Sequence, residues 1–177
     1  MCFLLLLVII LSVQQASTAP FIGVNLSDDQ LAYLQSTINN QSCEFYNEVE
    51  KLSPCGSQGY VQKFIYKYCM AYLNNERIFT NQQWQNGVRV CLQQKLHDYL
   101  ESNRNANCSA IKNAGFDSHT YCYLQPIENE TELTFCRLPI HDVAKIIWIA
   151  KGTIFEPAAW SQLAQLIKNC SFGFLLG

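Results

Sequence analysis

The chain has 177 residues, of which only 15% are charged, with 12 Lys+Arg against 14 Asp+Glu and a net charge of −2. Charge this sparse and this evenly balanced gives no electrostatic footprint for nucleic acid or for an anionic membrane. Hydrophobic residues at 49% and aromatics at 12% exclude an intrinsically disordered chain.

The chain opens on 19 residues without a charged side chain, and residues 4–11 are wholly apolar. That run falls short of the roughly 20 residues that span a bilayer, and it leads into the small residues Ala16-Ser17-Thr18-Ala19. The expectation is a secretory signal peptide over 1–19, cut between Ser17 and Phe21, followed by one domain over 20–177. No later segment is expected to cross a membrane: 143–150 is interrupted by Lys145, and the tail Phe172, Phe174, Leu175, Leu176 is too short for a lipid-anchor signal.

Beyond the leader the periodicity is helical. Asn25-Leu26-Ser27-Asp28-Asp29 offers an N-cap and acids for the first turn of a helix carrying Leu31, Leu34 and Ile38. A second stripe runs through Val61, Phe64, Ile65, Tyr68 and Tyr72. Thr80 stands three residues before Gln83, a capping-box spacing, ahead of Trp84, Val88, Cys91, Leu92, Leu96 and Tyr99. A short helix over 109–114 is expected to stop at Gly115, with another following Asp117 or Ser118 as its cap. Pro139 fits the first turn of a helix with Val143, Ile146, Ile147 and Ala150. Pro157 opens a last one with Trp160, Leu163, Ala164, Ile167 and Cys170. The Trp84 and Trp160 stripes lie at core spacing. Strand-like alternation is nearly absent, so the predicted fold is all-α: a single disulfide-rich helical domain.

Cysteine usage agrees with a secreted chain. Of nine cysteines, Cys2 lies in the leader, leaving Cys43, Cys55, Cys69, Cys91, Cys108, Cys122, Cys136 and Cys170. Eight thiols in an oxidising compartment form four bridges with none left over, although spacing alone leaves their connectivity open. The C-x2-C pairs of a structural zinc site are missing. Sequons begin at Asn25, Asn40, Asn107, Asn129 and Asn169, those at Asn107 and Asn169 having a cysteine in the middle position.

Catalytic motifs are thin. His97-Asp98 and His141-Asp142 are similar to the adjacent pair of secreted phospholipases A2, but neither has that family's flanking cysteines or a preceding glycine-rich calcium loop. Adjacent helical residues also diverge by about 100°, so both pairs read as solvated helix faces. Asp117-Ser118-His119 holds the letters of a triad without its geometry. Asp28-Asp29 reads as a dipole-matching first turn rather than an ion site. No residue pattern argues for an enzyme, a metal or a cofactor.

From Cys43 to Cys170 the cysteine order and spacing resemble the stanniocalcins, secreted helical glycoprotein hormones. Cys69 is followed by Met70-Ala71-Tyr72-Leu73, by Phe79-Thr80 and by a helix reaching Cys91. Cys108 and Cys122 follow, the latter directly before Tyr123, and the wide interval from Cys136 to Cys170 encloses two helices. Relative to the vertebrate pattern one N-terminal cysteine pair is missing, Leu52-Ser53-Pro54 replaces the usual sequon before Cys55, and no cysteine follows Cys170. The resemblance implies the bridges Cys43–Cys69, Cys55–Cys108, Cys91–Cys122 and Cys136–Cys170. It also implies an extracellular hormone or regulator of calcium and phosphate handling, or an inhibitor of a secreted metalloprotease, with a protein receptor or that protease as partner. With all eight cysteines paired internally, any homodimer is expected to be non-covalent. A secreted all-α carrier of a small lipid-like ligand is the alternative, and a calcium-dependent lipase-like enzyme a more distant one.

Overall fold

Residues 25–153 and 155–174 are described by the structure, a computed structural model, with side chains described up to residue 170. The leader, its cleavage point and the apolar tail side chains therefore lie outside the described residues. Seven α-helices occur among those described: α1 Asp28–Thr37, α2 Glu44–Leu52, α3 Lys67–Asn74, α4 Gln82–Ser102, α5 Cys108–Leu124, α6 Ile140–Ala150 and α7 Pro157–Phe174. A π-helical turn, Val61–Tyr66, runs directly into α3. The described residues contain no strand, and the fold is all-α and disulfide-rich.

Local chemistry sets the helix starts. At α1, Ser27 Oγ accepts from the Gln30 amide while Gln30 Oε1 accepts from the Ser27 amide, a reciprocal box that satisfies two otherwise orphaned donors. Asp28 and Asp29 fill the first turn, and Asp28 also pairs with Arg104 at 2.6 Å. α4 begins differently from the sequence expectation. Its cap is Asn81, whose side chain accepts from the Trp84 amide at 2.9 Å, and Thr80 lies outside the helix. The Thr80 amide is taken instead by a carboxylate from α6, so a tertiary contact displaces the local box.

α4 is the rod about which the rest assembles, its 21 residues spanning about 31 Å. A five-residue connection turns the chain back into α5, making a helical hairpin closed by the Cys91–Cys122 bridge. Two apolar clusters lie along this hairpin. The larger joins α1, α2, the π turn and α3 to Leu96, Leu100, Ile111 and Phe116. The smaller gathers Phe79, Trp84, Val88, Leu133 and Ile146.

α5 is one continuous helix through Gly115, not two. The glycine does not stop the helix; it makes room for a neighbour, because a Cβ there would overlap the Tyr60 ring, 2.7 Å from its hydroxyl. Asp117 and Ser118 consequently sit mid-helix, where Ser118 Oγ donates to the Gly115 carbonyl. α2, absent from the sequence expectation, buries Phe45, Tyr46 and Val49.

The cysteines pair as Cys43–Cys69, Cys55–Cys108, Cys91–Cys122 and Cys136–Cys170, with Cα separations between 5.2 and 6.0 Å. The first joins the start of α2 to α3, the second ties the loop after α2 to the start of α5, and the third closes the hairpin itself. The fourth clasps the segment before α6 to α7, so the last two helices form a separately stapled outer wall.

Candidate functional site

Between the two apolar clusters, beneath α6 and α7, lies a cavity of about 290 Å³. Its floor is aromatic: Tyr46 from α2, Tyr60 immediately before the π turn and Phe64 within it, Trp84 from α4, Phe116 and Tyr123 from α5. The π turn matters here because widening the helix by one residue alters the register at which Tyr60, Phe64 and Ile65 reach the wall. The exposed members of the lining are Ile147, Lys151, Trp160 and Leu163, which places the opening between α6 and α7.

This geometry corrects the reading of the Trp160 stripe as core. Trp160 is 58% exposed, whereas Leu166 carries the buried contact of α7. A wall one helix thick presents its flank to the cavity mouth, so helical periodicity is kept without full burial. Trp84 is core as expected, at 1% exposure, and its indole N–H donates to the Tyr123 carbonyl at 3.1 Å.

Two polar side chains in the lining are buried on the same face of α4, one turn apart: Gln85 and Arg89. Arg89 Nη2 donates to the Asn40 carbonyl and to Asn86 Oδ1, but Nε and Nη1 have no hydrogen-bond partner. Neither amide atom of Gln85 has one, nor does the Tyr60 hydroxyl. Burial draws the Arg89 guanidinium below its ordinary value, with Glu76 opposing the shift. Burial likewise pushes the Tyr46 and Tyr60 hydroxyls up, Arg89 countering it at Tyr46. Among the described residues, no Asp or Glu lines the cavity. These residues are not singled out in the sequence reading, although Gln85 and Arg89 share the buried register of α4 with Val88 and Leu96, a register that also carries the buried Gln93.

No protein-family model, curated protein or solved structure matches this chain.

Each His-Asp pair has one buried member, His97 or Asp142, and one exposed member, Asp98 or His141, so the reading of both pairs as solvated helix faces holds for only half of each. His97 is buried and its Nε2 faces the Leu31 carbonyl at 3.0 Å, tying α4 to α1, while Asp98 stands 3.8 Å from Nδ1 with its side chain half exposed. Asp142 is fully buried and accepts the Thr80 and Asn81 amides, with Lys145 Nζ at 3.2 Å. Burial works to raise its carboxyl, but the two amides and Lys145 outweigh that and hold it below the ordinary carboxylate value. His141 Nε2 lies 2.5 Å from Thr80 Oγ1 and 3.5 Å from Asp142 on the same ring nitrogen. A nucleophile–base–orienter chain needs hydroxyl and carboxylate on opposite ring nitrogens. His119 lines the cavity. Its Nδ1 contacts the Gly115 carbonyl at 2.6 Å, and burial lowers its pKa against the opposing backbone contacts.

All five sequon asparagines are exposed. Asn107 caps α5 through Oδ1, Asn129 occupies a left-handed turn at φ 65°, and Asn169 Nδ2 donates to the Gln165 carbonyl within α7. No helix among the described residues is long and apolar enough to cross a membrane, and no cluster of three or more His, Cys, Asp or Glu there could hold a metal ion.

Proposed function

We propose that the chain is an extracellular glycoprotein that acts by protein–protein contact as a hormone or regulator of the stanniocalcin kind, with a receptor or a secreted metalloprotease as its partner. The observation that carries this reading is the bridge pattern. Cys43–Cys69 joins α2 to α3, Cys55–Cys108 ties that N-terminal part to the hairpin, Cys91–Cys122 closes the hairpin, and Cys136–Cys170 clasps the last two helices. That is the connectivity the family resemblance implies. Four disulfides suit an oxidising compartment, and the exposed sequon asparagines suit glycan transfer there. The outer wall adds an apolar contact surface, with Ile140 82%, Trp148 69% and Phe155 86% exposed, and aromatic anchors are what protein interfaces concentrate.

The test is capture from native extracellular fluid on the immobilised mature protein, with free protein as competitor. The expected result is one saturable protein partner, displaced by the competitor and weakened at least tenfold by Trp148→Ser with Phe155→Ser. Capture that neither saturates nor responds to these substitutions would overturn the proposal. A small-ligand carrier is the second reading, favoured by the cavity alone.

A further inference from the structure

We infer that the cavity beneath α6 and α7 binds a single-chain amphipathic carboxylate, with the chain in the aromatic pocket and the carboxylate held by Arg89 and Gln85.

The chain end of the argument is volume and lining. About 290 Å³ lies at the lower edge of ordinary ligand sites. At the roughly 30 Å³ that a water molecule occupies in the liquid, it admits about ten non-hydrogen atoms. Its floor of Tyr60, Phe116 and Trp84 offers ring faces and edges to an alkyl chain. Such a pocket favours a medium-length aliphatic tail over a rigid polycycle.

The polar end rests on the orphaned groups. An unpartnered buried amide costs on the order of 1–3 kcal/mol, and a buried charge costs more. Arg89 is 3% exposed and Gln85 1%, yet Nε and Nη1 of the first and both amide atoms of the second have no partner. A carboxylate offers two acceptor oxygens and a compensating charge, which relieves the guanidinium and the amide N–H together. The sign is selected as well. Among the described residues the lining contains Arg89 and Lys151 and no carboxylate, Glu76, which acts on Arg89, lying outside it, so an anionic head is favoured over a cationic one. Of the two cations Arg89 is the holder, because Lys151 is exposed and stands 3.5 Å over the Trp148 ring. The inference stands apart from the proposed regulatory role: a protein partner without this binding overturns only the ligand site.

The experiment is calorimetric titration of the full mature protein with decanoate and, as the uncharged comparator, decanol. The expected result is saturable one-to-one binding of decanoate, at least tenfold tighter than decanol. Arg89→Gln should remove that preference, and Lys151→Gln should change decanoate affinity less than threefold. If Arg89→Gln fails to fold, Ala159→Trp, which fills the cavity from its α7 side, should abolish binding while circular dichroism shows the helices intact. No saturable binding of decanoate to the unaltered protein, equal binding of the two ligands, decanoate binding undiminished in Ala159→Trp, or the full loss appearing in Lys151→Gln would each overturn the inference.

Discussion

The carboxylate of Asp142, on α6, accepts the backbone N–H of Asn81 at 3.0 Å, 61 residues earlier in the chain and immediately before α4. Thr80 donates its amide to the same side chain at 3.1 Å. A residue on the outer wall thereby satisfies donors at the start of the central helix, where negative charge is also favoured by the helix dipole. α6 is thus docked by a polar clamp in addition to the apolar contact of Ile146.

Asp142→Asn should weaken this clamp, because the amide places N–H groups against N–H donors. The expected loss is about 1–3 kcal/mol, a fall in melting temperature of about 3–10 °C. The folded carboxyl titrates below its ordinary value of 3.8, so its stabilisation is complete at neutral pH and is withdrawn as pH falls through that value and below. Thermal melts of the native protein and Asp142→Asn should therefore converge in acid and separate at pH 7. A gap that stays constant across that range would contradict the clamp.

Gly115→Ala tests why α5 runs unbroken past its glycine. On propensity alone the substitution should stabilise the helix by about 1 kcal/mol. Here the added methyl meets the Tyr60 ring, and overpacking costs about 1–3 kcal/mol. Chemical denaturation should show a net destabilisation, relieved when Tyr60→Leu is introduced with it.

Replacing both Cys136 and Cys170 by Ser removes a bridge between residues 34 apart. The loop-entropy relation assigns such a bridge about 3–4 kcal/mol. Because the clasp belongs to the outer wall, hydrogen exchange should accelerate in α6 and α7 while α4 and α5 keep most of their protection. Uniform acceleration across all helices would show that the wall is not a separate unit.

The parts of the fold that were legible in the sequence are those set by local chemistry. The stripe of α1, with Leu31 and Leu34 buried behind its cap, needs only periodicity and a capping residue, and the long α4 needs only its heptad-like spacing. The misread positions are those where a distant residue intervenes. Thr80 looked like a cap until Asp142 claimed its amide, Gly115 looked like a stop until Tyr60 filled its place, and Trp160 looked like core because periodicity reports a face without saying what lies against it. α2 was missed between two cysteines although Phe45, Tyr46, Val49 and Leu52 share one side of a helix. The cavity was illegible for a related reason. A buried Arg89 can be flagged from its stripe, but whether its nitrogens find partners depends on Asn40 and Asn86, which only the folded chain brings near.

The central proposal is that this chain carries the bridge framework that its resemblance to the stanniocalcins implies, and peptide mapping of the unreduced protein recovered from extracellular medium tests it most directly. The account predicts four intrachain linkages, Cys43–Cys69, Cys55–Cys108, Cys91–Cys122 and Cys136–Cys170, in a monomer-sized band without reduction. Cys136 joined to any cysteine before Cys122, or a covalent dimer that disappears on reduction, would contradict it.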